Sequence, residues 1–421
     1  MSKTYKRARS VVMLALIASV MVLVLAACGQ EDPTATPVPT ATPTSPPGAE
    51  EPEPTATPDA AALFQVEWDE LIKAAQEEGE VVLVLGGSAG RNFRPVAEFW
   101  QDKFGVKVIV STGSGSEQAN RILAERSTGV YLVDVLWVGG TSANTRMVPA
   151  NALVPIADLF IHPDVTDLSL WYQGKHWYGD EPQQFVFTFA ADASPQNMAM
   201  RYNTDLVTQE DLDGLNSVFD YLDPKWKSKI VSISPLTGGA GGTYFEAYVH
   251  PDIGTSWIDG FLSPDLDVTF TEDFRFIVDG VARGKFAMGV AIGSAGRDLD
   301  ALRDAGGPVA RLAKDFKEGG VVSGTGSSDN MMVPTNQPNP NAAKLFVNWF
   351  LSQEGQTMMH TLAEQESDPT LRLDVTDWGT TRPIDRRVEG QEYFFFTADP
   401  VYVNQRIEAL DYTKDVYNAT H

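Results

Sequence analysis

The sequence predicts an α/β protein built on mostly parallel sheets flanked by helices. Three observations predict it. Short β-branched runs such as VVLVLG (81–86) alternate with amphipathic stretches over residues 80–153, the pattern of strands covered on both faces. The first three runs end in Gly with hydroxyls, at Gly86-Gly87-Ser88-Ala89, Gly113-Ser114-Gly115-Ser116 and Gly139-Gly140-Thr141-Ser142. A second α/β region over about 205–320 then gives way to a long helical pattern from 339.

In chain order, Trp68, Leu71, Ile72 and Ala75 fall on one face of a helix that Gly79 can terminate. After VVLVLG come a helical FRPVAEFWQDKFG, a strand VKVIVST, a helical EQANRILAERSTG, a strand VDVLWVG and a helical TSANTRMVPANAL. FVFTFAADASPQNMAMRYNTDLV (185–207) holds two strand-like runs, and LDPKWKSKIVSISP turns into another strand. TGGAGGTYFEAYV reads as a glycine-rich loop opening a helix, and KFAMGVAIGSAGR as a strand ending in a loop. In NPNAAKLFVNWFLSQEGQ, Asn339 is placed to cap, Pro340 suits the first helical position, and Leu345, Phe346, Trp349 and Phe350 make an apolar face. LWYQGKHWYGD reads as a surface hairpin with one aromatic packed on the body, or as a stacking wall for a ring-bearing solute.

The ends of the 421-residue chain differ in composition from its body. Residues 1–28 carry Lys3, Lys6, Arg7 and Arg9, then an apolar or small run ending at Cys28, the layout of an export signal. Leu25-Ala26-Ala27-Cys28-Gly29 resembles the lipobox of bacterial lipoproteins, which implies lipidation of Cys28 and an anchor on the outer face of the cytoplasmic membrane. Cys28 is the only cysteine, so no intramolecular disulfide and no cysteine metal site can form. Residues 29–63 are rich in Thr, Pro, Ala and Glu and read as a disordered tether with a reach on the order of 100 Å. The formal charge of -24, more negative still without the signal, excludes nucleic acid as a partner and leaves membrane attachment to the lipid.

YNTDLV (202–207), LDPKWKSKI (222–230), PNAAKLFVNWFLSQEGQ (340–356) and RLDV (372–375) together resemble the recurring segments of extracellular solute-binding proteins of ABC importers, the ferric-iron binders among them. The resemblance implies a two-lobe periplasmic-binding-protein-like fold of type II, with lobe 1 over 64–195 and 325–421, lobe 2 over 196–324 and one ligand in the cleft. It implies a monomer that needs no cofactor, performs no catalysis and hands a small solute or ion to the importer's transmembrane subunits. In parallel sheets, ligands sit beyond the carboxyl ends of the strands, and backbone N–H groups at helix starts favour negative charge. The expected ligand-binding residues are therefore Gly87, Ser88, Arg91, Ser114, Ser116, Thr141 and Ser142 on one side, with Thr237, Thr243, Tyr244, Ser294 and Arg297 on the other. The pentapeptide GSAGR, present at 87–91 and again at 293–297, would place one Ser and one Arg on each side of an anionic solute.

Ferric iron is the alternative ligand within this class. The ferric binders commonly carry two adjacent tyrosines after a strand of the second lobe. The matching positions here are near Gly293, Ser294 and Ala295, where no tyrosine stands, although Tyr202, Tyr244, His162, His176, Asp180 and Glu181 are donors elsewhere. A lipid-anchored serine hydrolase is the remaining alternative, since residues 86–90 match G-x-S-x-G around Ser88. That elbow ends the first strand of the domain, with no sheet upstream to seat it, and no histidine stands in a recognisable context.

Overall fold

The computed structural model describes residues 60–86, 93–195, 198, 200–236, 241–293, 295–324, 329–363, 368–379 and 381–421. The chain enters on helix α1 (Ala60–Glu78), which buries Leu71 and Ala75, and turns through Gly79 at φ +83° into β1 (Glu80–Gly86). A positive φ there is open to glycine at no steric cost, which is why the helix stops where the sequence predicts. Helix α2 (Arg94–Phe104) buries Val96, Ala97, Trp100 and Phe104 and ends on left-handed Gly105. Strand β2 (Lys107–Gly113), helix α3 (Gly115–Ser127) and β3 (Val135–Trp137) complete the first unit. The three strands pair in parallel in the order β2-β1-β3, with Gly86 opposite Gly113 and Leu85 opposite Trp137. All three carboxyl ends therefore reach one edge.

The stretch after β3 is less regular than its sequence predicts. A single helical turn at Gly140–Ser142 runs into a π-turn at Ala143–Met147 and stops before Pro149. Trp171 and Trp177 of the aromatic segment are buried, and β4 (Trp177–Tyr178) pairs with β5 (Phe187–Thr188), so the segment is core and not a surface hairpin. The run 185–207 yields three strands instead of two: β5, β6 (Asp192–Pro195) and β7 (Arg201–Asn203).

Beyond β7 the chain forms β8 (Ile230–Ile233), helices α4 (Gly241–Val249) and α5 (Gly254–Phe261), β9 (Thr269–Thr271), α6 (Phe274–Ala282), β10 (Met288–Gly289), α7 (Ala295–Asp304) and β11 (Val309–Arg311). Their sheet has the order β11-β7-β10-β8-β9, parallel where β8 meets β9 and β10, antiparallel around β7. The described end of the second pentapeptide is helical where a loop is expected. Ala295, Gly296 and Arg297 are already the first turn of α7.

The chain then passes through β12 (Gly320–Ser323), β13 (Asn330–Met331), α8 (Pro340–Leu351), α9 (Gln353–Leu362), β14 (Tyr393–Phe394) and α10 (Arg406–Thr420). Strand β12 lies antiparallel to β6 and parallel to β14, so three passes of chain run side by side. Asn339 does not cap α8 with its side chain. Glu78 at the end of α1 does this instead, accepting from the N–H groups of Asn341 and Ala342 at 3.1 and 2.7 Å. Asn339 is held by the buried Asp134 carboxylate, which accepts from its backbone N–H at 2.7 Å and its side-chain amide at 2.9 Å. That carboxylate also takes the N–H of Val82 at 2.8 Å, fastening the start of α8 to the parallel sheet.

Two large apolar cores result. The first gathers Leu83, Trp100, Trp137, Phe189, Phe346 and Phe350 around β1 and α8. The second gathers Tyr221, Ile230, Tyr244, Trp257, Phe261 and Met288 around the five-stranded sheet, and Tyr412, Val416 and Tyr417 of α10 pack against it. Among the smaller groups, one gathers Val84, Ile122, Leu136 and Met332, and another joins Phe245 of α4, Val321 of β12, Phe396 and Ala409 of α10.

Candidate functional site

Two of the three glycine and hydroxyl loops at the carboxyl edge of β2-β1-β3 are described, and they touch. Ser114 is the N-cap of α3, its Oγ accepting from the N–H of Glu117 at 3.2 Å. Two residues along, Ser116 Oγ lies 3.2 Å from Ser142 Oγ. A Cβ on Gly115 would meet Ser142 Oγ and the Gly139 nitrogen at 3.4 Å, so glycine lets the two loops close on each other. Thr141 stands beside them, half-buried. Four hydroxyls and the start of a thirteen-residue helix thus converge at the end of parallel strands, where small side chains leave backbone N–H groups accessible.

The charge at this edge comes from a residue that the sequence did not single out. Arg406, at the first position of α10, is 2% exposed and reaches Thr141, with Nη1–H donating to Oγ1 at 3.4 Å. Its Nη2–H donates to the carbonyl of Thr397 at 3.2 Å, its guanidinium carbon lies 4.8 Å from the centre of the Phe245 ring, and its Nε–H has no acceptor among the described residues. Burial pushes its pKa down to about 10, so it stays charged at neutral pH. Its signal was present in the sequence: Arg406, Ala409 and Thr413 form the buried stripe of α10, at i, i+3 and i+7, while Ile407 is exposed.

The residues expected from the other side behave differently. Thr243 is half-buried in the first turn of α4. Tyr244 is 1% exposed inside the second core, with its hydroxyl 3.5 Å from Ser232 Oγ, and burial drives its phenol pKa up. It is a packing residue in this structure, while its neighbour Phe245, one helical step around, faces Arg406. Arg297 donates to Asp368 at 2.9 Å. The carboxylate of Asp368 pushes its pKa up, with smaller contributions from Asp192, Asp329 and Asp385, so the expected cation already has an acid partner. Gly87, Ser88, Arg91, Thr237, Ser294 and Cys28 lie outside the described residues; the described edge therefore tests neither the pairing of the two pentapeptides nor a nucleophilic Ser88.

Among the described residues, no three His, Cys, Asp or Glu side chains gather as a metal site. His176 makes a 2.8 Å bond to the Val165 carbonyl, and His162 packs edge-on between Phe64 and Trp68. Asp180 accepts from the N–H groups of Gln184 and Val186 at 3.0 and 2.7 Å and so closes its own turn.

A family model described as "Bacterial extracellular solute-binding protein" matches residues 96–377. Solved structures share the fold at low identity. Iron-bound HitA from Pseudomonas aeruginosa superposes with a TM-score of 0.57 at 18% identity, covering 80% of this chain and 99% of that one. The periplasmic binding protein AfuA from Actinobacillus pleuropneumoniae, with exogenous fructose-6-phosphate bound, gives 0.54 at 17% identity, covering 80% and 96%. The spermidine/putrescine transporter substrate-binding protein PotD from Streptococcus pneumoniae gives 0.50 at 14% identity, covering 80% and 99%. No curated protein matches the chain in sequence.

Proposed function

The chain belongs to the bacterial extracellular solute-binding proteins, the substrate-binding components of ABC transporters, and on that premise we propose that it captures a small anionic solute and delivers it to a membrane permease. The observation that carries the anionic reading is the edge made by Ser114, Ser116, Thr141 and Ser142, where hydroxyls and helix-start N–H groups collect beyond the carboxyl ends of parallel strands. We divide the body into a first lobe around the α8 core and a second around the five-stranded sheet, with β6, β12 and β14 as crossing strands. In this division α10 goes with the second lobe, against whose core Tyr412, Val416 and Tyr417 pack. A solute that touches both lobes binds the closed form better than the open one, and this difference drives closure.

The chain is exported, as its family is extracellular. We further propose that Cys28 carries the lipid and that residues 29–63 tether a monomeric body above the membrane. AfuA was solved with a phosphorylated sugar and HitA with iron. The absence of tyrosine at 293–295 favours the anion for this chain.

The test is thermal unfolding of the full-length chain in detergent against citrate, inorganic phosphate, fructose 6-phosphate, ferric chloride, glucose and spermidine. At least one anion is expected to stabilise the protein, by about 2.7 kcal/mol at a hundredfold excess over Kd, with no product formed. Thr141→Val is expected to weaken that anion roughly tenfold, the loss of one hydrogen bond to a charged group. Stabilisation by glucose or spermidine alone, or turnover of any panel member, would contradict the reading.

A further inference from the structure

We propose that Arg406 is the anion-recognition residue of this protein, a guanidinium carried on α10 that binds a phosphate or carboxylate group of the solute at the Thr141 edge. The proposal rests on the reading of the chain as a receptor for an anionic solute and adds the group that supplies its charge. Arg406 lies beyond the residues matched by the family model, which end at 377.

Among the described residues three arginines are nearly enclosed: Arg201 at 6%, Arg372 at 1% and Arg406 at 2%. The first two are compensated in place. Arg201 meets both oxygens of Asp300 at 2.8 Å, and Arg372 meets those of Asp374 at 2.9 and 2.6 Å. Arg406 has no carboxylate within ion-pair distance among the described residues. Its partners are one carbonyl, one hydroxyl at 3.4 Å, which is longer than an ordinary N–H···O bond, and an aromatic face. Arg386 and Arg387 also have no carboxylate within ion-pair distance among the described residues, and each keeps one buried N–H without an acceptor there, but they donate to the carbonyls of Thr381 at 2.6 Å and Thr370 at 2.5 Å, away from the carboxyl edge of β2-β1-β3. An enclosed guanidinium with an orphaned N–H and no counter-charge is a costly arrangement that an arriving oxyanion relieves.

The position fits that use. Nη1 lies against Gly140, where a Cβ would sit 3.4 Å away, at the end of β3 and one residue from the hydroxyl of Thr141. The helix that carries Arg406 is bolted to the other core: Tyr412 donates to Asp259 at 2.7 Å, and Tyr248 donates to Glu408 at 2.9 Å. An anion between Arg406 and the Ser114–Ser142 edge is thereby held from both sides, which makes the same contact report occupancy and drive closure. On a chain with a formal charge of -24, a local cation is also what draws an anion in against the field.

The test compares full-length wild type, Arg406→Gln and Arg406→Lys in detergent, with inorganic phosphate, fructose 6-phosphate and citrate as probes; the first two separate a phosphate group from the carboxylates of the third. Arg406→Gln is expected to weaken the stabilising oxyanion about 30-fold or more, with Arg406→Lys in between. The ligand-free Gln variant is expected to melt at the wild-type temperature or above it, because an uncompensated charge has gone; a purely structural arginine would give a lower one. Should the Gln variant not fold, phenylglyoxal modification of wild type decides the matter: an oxyanion, but not chloride at equal ionic strength, is expected to slow the adduct at Arg406 at least tenfold. An unchanged affinity in Arg406→Gln, or adduct formation indifferent to every oxyanion, overturns the proposal. If Thr141→Val weakens the oxyanion while Arg406→Gln does not, the receptor reading stands and this assignment alone falls.

Discussion

Arg372→Met is expected to lower the stability of the body by about 3–5 kcal/mol, the cost of removing one partner from a buried ion pair. Arg372 is the first residue of the RLDV segment, and its side chain is fully enclosed. Besides both oxygens of Asp374, its Nη1 serves the carbonyls of Asp164 at 2.6 Å and Leu351 at 3.0 Å, and its guanidinium lies 5.3 Å from the centre of the Trp171 ring. One side chain thus ties the end of α8 to the turns before β4. Methionine fills similar volume but leaves a carboxylate and two carbonyls without their donor. Urea unfolding followed by tryptophan fluorescence measures the difference; a loss below about 1 kcal/mol would show that water or a neighbour replaces the guanidinium.

The second large effect is acid lability centred on His360. This imidazole is 1% exposed, with Nδ1 2.9 Å from the Thr381 hydroxyl, and burial pushes its pKa down to about 4. A histidine depressed in the folded state is neutral there while its unfolded counterpart, near 6.5, takes up a proton first. Its stabilising contribution is complete above about pH 6.5, declines as the pH falls and is gone below about 4, a loss of about 3 kcal/mol. Burial lowers His162, His176 and His250 in the same direction, so they add to the slope. Buried carboxyls raised by desolvation, Asp134 and Asp180, work in the opposite sense, since the folded state holds their protons longer. The informative quantity is therefore the difference between wild type and His360→Gln over pH 7 to 4. The variant is expected to lose the histidine's share of the slope; identical slopes would remove His360 as its source.

What could be read from the sequence was whatever depends on neighbours along the chain. The helix at 340–351 followed from the spacing of Leu345, Phe346, Trp349 and Phe350, and the edge at Ser114 and Thr141 from glycine and hydroxyls placed after β-branched runs. What could not be read depends on distant partners. Arg297 is neutralised by Asp368, 71 positions on, and Arg406 finds Thr141 across 265 positions. Glu78 caps a helix that begins more than 250 residues later. Tyr244 and Phe245 illustrate a finer limit. Adjacent residues on a helix differ by about 100° in direction, and a glycine-rich approach to α4 leaves nothing to fix which of them faces inward.

The central claim, that an oxyanion-bearing solute is held and released intact, is tested most directly by native mass spectrometry of the full-length chain taken from its membrane in detergent. One equivalent of a phosphate- or carboxylate-bearing molecule is expected on the wild type, released with its mass unchanged and missing from Arg406→Gln. A bare ferric ion on the protein, or a bound solute with neither group, would contradict it.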